Sequence, residues 1–486
     1  MVFTSLQFFI FLPLVFLAHH YGGDRTRRLV LLLSSLLFYA AFKLPHLLVA
    51  LVVVVAATYL VGLRIAAVST PGARKRWFLA GLGANLLVLI SIKYLPVLVQ
   101  NLNSFAAGMM WDVRFPAAPL LVSIGVSYFV FQALSYLIDL YLEIIEPERD
   151  VVLFALSLSF FPKLLQGPIE RSGDLLPQLH APYQFRYETV RSGLLLFAWG
   201  MFNKLVVADR LGLYVNMVYG SIPAHTGPAF LCATWLYAFQ LYFDFSGYTD
   251  MALGSARIFN INLTQNFNTP YLATSIADFW RRWHISFSRW ILDYIFKPLQ
   301  MKFRDWSTAG TALALFLTFL ISGIWHGASW GFVIWGLLHG LYLAVSVFYK
   351  PYQKRLHKAC GLQGTRSLKI WQTVITFNLV CFAWVFFRAD TLTDAWYVIT
   401  HIVTDICSAL ARGDFAALKQ LGPGRGRFFQ SFLPMSATLI VFLLKDRIDF
   451  FRQPRWFRWT AYYLLVYLTL YHSVITDKQQ FVYFQF

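Results

Sequence analysis

Charge is scarce in this chain. Asp, Glu, Lys and Arg make up 13% of 486 residues, against 58% hydrophobic. A soluble domain carries about a quarter charged residues, so the polar surface needed to coat a water-soluble globule is missing. The mean hydropathy of +0.57 agrees. Cysteine is scarce too: Cys232, Cys360, Cys381 and Cys407 show neither metal-ligand spacing nor a disulfide frame. They read as free thiols, and no metal site is expected. There is no internal repeat and no long disordered linker, which excludes a solenoid and a tethered array. Acidic residues are the rarer charge, 23 against 41 basic, leaving a net +18. In a soluble chain that excess would suggest nucleic acid.

What fills the chain is apolar runs. Leu47–Leu63, Trp77–Ile92, Leu313–Ile324, Trp330–Phe348 and Ile370–Phe387 are about long enough to cross, or nearly cross, a bilayer core. Counting such runs predicts an all-α polytopic membrane protein with roughly ten to twelve transmembrane helices. Leu153–Phe161 is too short to span and stops at Pro162-Lys163, so it reads as a partial or re-entrant element buried in protein. Phe8–Leu17 resembles a signal-peptide core but has no basic residue before it and no clear cleavage site after it, and is taken as a retained first helix. We divide one integral membrane domain, 1–486, into N-terminal helices 1–110, a core 118–349 and C-terminal helices 370–486. Thr391–Arg427, which contains Gly422-Pro423-Gly424, is the longest polar insertion of the second half and is expected to be an outer-face loop with some helix.

The basic residues cluster in short loops, as the positive-inside rule expects, and this explains the charge without nucleic acid. The clusters are Arg25–Arg28, Arg64–Arg76, Arg281–Arg304, Lys350–Lys369 and Lys445–Arg458, all placed on the cytoplasmic side. Between the third and fourth, the chain must go out and come back. Leu313–Ile324 and Trp330–Phe348 form that hairpin, with Gly323-Ile-Trp-His-Gly-Ala at its turn, so His326 lies toward the outer side. Gly323 and Gly327 flank it and would permit a sharp turn and close approach by a substrate.

A second histidine, His284, lies in a segment where Ile276, Trp280, Trp283, Phe287 and Trp290 recur at three and four, the stripe of one helix. Asp278 precedes Arg281 and Arg282 by three and four, a spacing suited to ion pairs. His284 shares a face with Arg281 and Ser288. Ionisable groups at membrane depth are costly, and they mark a path or a reaction site. Histidine also exchanges protons near neutral pH. The blander readings are that each histidine bonds a neighbouring carbonyl, and that Arg281 and Arg282 snorkel to lipid headgroups. His339 falls far round a continuous helix from His326 and reads as structural or secondary.

Read together, the motifs resemble the membrane-bound O-acyltransferase superfamily, in its bacterial alginate O-acetyltransferase-like branch. The likeness runs from Met1-Val-Phe-Thr-Ser through Ser127-Tyr-Phe-Val-Phe-Gln-Ala-Leu-Ser-Tyr-Leu-Ile-Asp139 and Phe160-Phe-Pro-Lys-Leu-Leu-Gln-Gly-Pro-Ile-Glu-Arg171. It continues through Gln240-Leu-Tyr-Phe-Asp-Phe-Ser-Gly-Tyr-Thr-Asp-Met-Ala252, then Asn266-Phe-Asn-Thr-Pro-Tyr, then Phe279-Trp-Arg-Arg-Trp-His-Ile-Ser286. Ile324-Trp-His-Gly327, Trp384-Val-Phe-Phe-Arg-Ala389 and Phe481-Val-Tyr-Phe-Gln-Phe486 close it. Alginate-acetylating members carry a Gly-Gly-Asn-Arg turn after the Arg-Arg-Trp-His helix. Here Lys297-Pro-Leu-Gln-Met-Lys-Phe-Arg304 stands in that place, which leaves the polymer open.

The resemblance implies helices ringing a thinned centre, with cytoplasmic and outer funnels meeting near His326, the catalytic position, and His284, the second functional position. It implies an enzyme of the bacterial inner membrane that takes acetyl from a cytoplasmic thioester, acetyl-CoA, with no bound cofactor, for an exported polysaccharide such as alginate or cellulose. A periplasmic SGNH-type acetyltransferase and a polymer synthase or export complex are the implied partners. His326 would serve as general base; His284 would orient the thioester, stabilise charge or protonate the leaving thiolate. Arg281, Arg282 and Arg289 would attract the anionic donor. Asn268, Asp244, Ser246 and Asp250 would line the cavity or act as struts between helices. The competing readings are D-alanyl transfer to teichoic acid from a carrier-protein thioester, and a small-solute transporter.

Overall fold

The computed structural model describes residues 1–111, 114–116, 123–420, 432, 434–436, 438–441, 450–474 and 481. Among the described residues every regular element is helical. Six helical stretches are long and apolar enough to cross a membrane: Pro45–Ala67, Pro71–Lys93, Tyr187–Tyr219, Arg304–His326, Trp330–Ala359 and Arg366–Arg388. Leu6–Tyr21 and Val126–Tyr141 are shorter apolar helices. The chain is an all-α, multi-pass membrane protein.

Two compact units emerge. The first comprises 1–197 and 248–265. It contains α1 (Leu6–Tyr21), α2 (Asp24–Ala40), α3 (Pro45–Ala67), α4 (Pro71–Lys93), α5 (Leu95–Gly108), α6 (Val126–Tyr141), α7 (Val151–Ser159), α8 (Phe161–Leu164) and α9 (Ser172–His180), and most of α10 (Tyr187–Phe202). Ser5 caps α1 by accepting the Phe8 N–H. Helices α3, α4 and α6 pack closely because Gly62 faces the Tyr136 ring and Gly81 faces Val61 and Leu137, leaving no room for a Cβ. Asn85 ties α4 to α3 by donating to the Thr58 hydroxyl at 3.1 Å. Phe3, Phe8, Phe38 and Phe161 build an aromatic core.

The expected partial element is α7, nine residues long and capped by Asp150. After Leu164 the chain is irregular, and it is wholly buried through Glu170. Such backbone needs protein partners at membrane depth. Lys163 donates to the Gln132 carbonyl, and Glu170 accepts from the Thr264 N–H at 2.6 Å and hydroxyl at 3.0 Å.

The second unit comprises 198–247 and 266–485. It holds α11 (Asp209–Tyr219), the first two-thirds of α12 (Gly227–Arg257), α13 (Ile276–Arg282), α14 (Ile285–Ile291), α15 (Lys297–Lys302), α16 (Ser307–His326), α17 (Trp330–Ala359), α18 (Arg366–Arg388), α19 (Leu392–Arg412) and α20 (Arg455–His472). The predicted hairpin is α16 and α17, antiparallel, with their basic ends together. Gly323, Gly336 and Gly340 let the two backbones touch: a Cβ on Gly336 would lie 2.5 Å from the Phe319 carbonyl. Most of the polar insertion is not loop but α19. Thr391 caps it, accepting the Asp394 N–H, and Gly413 ends it at φ 66°. Gly422-Pro423-Gly424 lies outside the described residues.

Candidate active site

His326 is the last residue of α16, held where the hairpin turns. It is buried and ringed by aromatic side chains. The Trp325 ring lies 4.6 Å away, Trp335 of α17 4.9 Å and Phe387 of α18 5.2 Å. Packing against α17 requires the flanking glycines, a role that the sequence did not show. A Cβ on Gly323 would strike the Phe332 carbonyl of α17, and one on Gly327 the Phe332 ring. Gly327 itself is extended, at φ 170°.

His284 is not in a helix, contrary to the unbroken stripe predicted over 276–290. Helix α13 starts at Ser275, whose hydroxyl accepts the Asp278 N–H, and ends at Arg282. His284 then takes a left-handed conformation, φ 44° and ψ 56°, before α14 begins. The break survives because Asn266 replaces the lost helical bonds. Its carbonyl accepts the Ile285 N–H at 2.9 Å, and its side-chain oxygen accepts the Ser286 N–H at 3.1 Å. The Asn268 N–H donates back to the Arg282 carbonyl. Backbone groups freed by a break must find such partners when buried.

One side chain approaches both histidines. The Phe287 ring stacks on His284 at 5.1 Å and lies 6.3 Å from His326, while stacking on Trp325 at 4.4 Å. Phe245 closes His284 from another side at 4.7 Å. Two imidazoles 42 positions apart in sequence therefore meet the same phenyl ring. His284 lies outside the six spans, and burial pushes its pKa down to about 3, so its ring is neutral at physiological pH. A neutral imidazole can accept a proton or orient a polarised carbonyl.

The other candidates are scattered. Arg282 binds Asp278 at 3.1 Å and Arg281 approaches it at 3.7 Å, the pairs that the spacing predicts. Arg281 and Arg289 are exposed. Asn268 is exposed, whereas Asn266 of the same motif is buried and bonded. Asp244 and Ser246 are buried in this unit; Asp250 belongs to the other.

Sequence reasoning missed three features. Lys204 pairs in the interior with Asp209, at 2.8 Å, and with Asp244. A π-helical segment, Asn203–Ala208, brings Asp209 over Lys204, and the Phe481 ring lies 4.4 Å from the ammonium. A lysine and an aspartate inside an apolar run were the available signal. The cap supplied by Asn266 was also missed. So was the place of His339: the helix is broken at 327–329, so the rotational argument that set it far from His326 does not hold. An apolar cavity of about 430 Å³ lies elsewhere in this unit, between Trp235, Tyr242, Tyr271 and Phe377. Among the described residues, no three His, Cys, Asp or Glu side chains converge as a metal-ligand set.

The profile of the membrane-bound O-acyltransferase family matches residues 153–389, which include both histidines. The chain is 37% identical over 402 residues to the probable alginate O-acetylase AlgI of Pseudomonas aeruginosa, covering 82% of this chain and 74% of that protein. The chain belongs to the membrane-bound O-acyltransferase family. It is also 35% identical over 442 residues to the peptidoglycan O-acetyltransferase of Helicobacter pylori, covering 82% and 79%. To the teichoic acid D-alanyltransferase of Bacillus subtilis it is 28% identical over 283 residues, 56% and 70%. This family member is thus an acyltransferase, and the transporter reading falls.

Proposed function

We propose that this acyltransferase carries acetyl from cytoplasmic acetyl-CoA to hydroxyls of an exported polysaccharide at the bacterial inner membrane, with His326 as general base. The observation that supports it best is that His284 and His326 both pack against Phe287. The His326 imidazole takes the hydroxyl proton as the oxygen attacks the thioester carbonyl. The C–S bond breaks, the ester forms, and the proton ends on the leaving thiolate. His284, kept neutral by burial, suits orienting the carbonyl better than acting as an imidazolium acid. Exposed Arg281 and Arg289 would draw in the donor's phosphates, while Arg282 is engaged by Asp278.

Relatives named for alginate and peptidoglycan acetylation, at 82% coverage of this chain, favour acetyl and a sugar polymer. A periplasmic SGNH-type acetyltransferase and a polymer synthase or export complex would complete delivery. The likeness to a D-alanyltransferase supports a second reading, in which the thioester sits on a carrier protein. The test uses the full chain in its native membranes with each donor. Acetyl-CoA should support transfer, and His326→Ala, confirmed as folded, should lower turnover by about 10²–10⁴-fold. Near wild-type turnover in that variant removes His326 from the mechanism.

A further inference from the structure

We infer that His339 is a positioning residue: through the hydrogen bond it accepts from Trp280, it ties the segment bearing His284 to the helix packed on His326. The inference rests on the acyltransferase reading above. The Trp280 Nε1–H donates to His339 Nδ1 at 3.2 Å. Indole nitrogen can only donate, so Nδ1 must present a lone pair and the proton of the neutral ring sits on Nε2. The bond therefore fixes one tautomer. Protonating Nδ1 would break it.

The position of this bond gives it consequence. Trp280 lies in α13, four residues before His284. His339 lies in α17, one turn after Trp335. The Trp335 ring is 5.0 Å from His339 and 4.9 Å from His326, and Trp280 also meets it at 5.7 Å. A continuous path of packed rings thus runs from the His284 segment through Trp280, His339 and Trp335 to His326. Helix α13 has seven residues, too few to hold its own orientation. Its direction, and with it the left-handed residue that follows, depends on what grips it from outside.

The surroundings explain why a histidine is needed. Phe279, Phe319, Trp335 and Trp384 surround His339, which is fully buried. A phenyl ring would fill that space. It would also leave the buried Trp280 N–H without an acceptor, the costly half of a broken hydrogen bond. What the imidazole adds is the acceptor atom.

The experiment places full-length variants in a deletion strain of the native host. It measures base-labile acetate on the extracellular polymer, normalised to folded protein in the membrane. Asn carries an oxygen close to the place of Nδ1, Gln reaches toward Nε2, and Phe keeps only the ring. His339→Phe and Trp280→Phe should each lower acetate by about tenfold, the scale expected when reacting groups are displaced slightly. The double variant should fall no further, and His339→Asn should restore most of the activity where His339→Gln does not. Wild-type activity in His339→Phe, better rescue by Gln than by Asn, or losses that multiply in the double variant would each overturn the tie. His326→Ala judges the acyltransfer reading separately. Should the wild type itself yield no acetate, acetyl transfer is lost, and the tie is judged by thermal unfolding: non-additive shifts for the two Phe variants support it and additive shifts reject it.

Discussion

His284 occupies a backbone conformation that few side chains accept, at φ 44°. Asn tolerates this region well and β-branched residues do not. His284→Asn should therefore reach the membrane in normal amount yet lose activity, whereas His284→Val should lose both, as read by folded yield and acetate formation. If His284→Asn stayed fully active, the imidazole would have no part in the reaction. The Lys204 cluster tests a different balance. Two carboxylates share one ammonium, all with negligible exposure. Removing only the cation leaves buried negative charge, at a cost of about 3–5 kcal/mol. Lys204→Met alone should thus fold worse than the triple change Lys204→Met, Asp209→Asn, Asp244→Asn. Thermal unfolding in detergent compares them, and equal midpoints would show that the three charges do not act as a unit.

Helices α13 and α14 show what periodicity reveals and what it hides. Ile276, Trp280, Trp283, Phe287 and Trp290 are all buried, as their spacing predicts. The break between Trp283 and Ile285 carries no local signal, because no glycine or proline marks it. Its cause is Asn266, 20 positions before the Ser286 N–H it caps. Tertiary hydrogen bonds of that kind do not appear in a pattern of apolar residues. Asn266→Ala should cost about 0.5–2 kcal/mol, the range for a lost cap, while Asn266→Asp keeps the acceptor and most of the stability. Unchanged stability in Asn266→Ala would mean that the Asn266 backbone alone holds the break. The α16–α17 hairpin was legible for the opposite reason: two long apolar runs and a short turn define it locally. The role of its glycines was not legible, since only the partner helix shows what a Cβ on Gly336 would strike. Gly336→Val should force the two helices apart and cost about 1–3 kcal/mol or more, with His326 at the displaced end. Unchanged thermal unfolding and activity would place the slack elsewhere.

For the whole molecule, the distribution of charge carries an orientation that the atomic contacts do not. Lys302 and Arg304, just before α16, and Lys350–Lys358, at the end of α17, lie at the same end of the α16–α17 hairpin, so one membrane face collects both, and the positive-inside rule assigns that face to the cytoplasm. Under that assignment and the function proposed above, His326 is expected toward the outer face, where an exported acceptor would meet it. The chain provides its own reporters. Cys360 is exposed and directly follows α17, within the Lys350–Lys369 cluster. Cys407 is exposed on α19, in the segment that follows α18 across the membrane. Cys381 is buried, and Cys232 is only partly accessible. A membrane-impermeant maleimide applied to intact spheroplasts should modify Cys407 and spare Cys360. After lysis it should modify both, as read by mass spectrometry of the two peptides. The reverse order would invert the molecule and place His326 toward the cytoplasm. The base would then face the donor side, and hydroxyls outside the cell would be out of its reach.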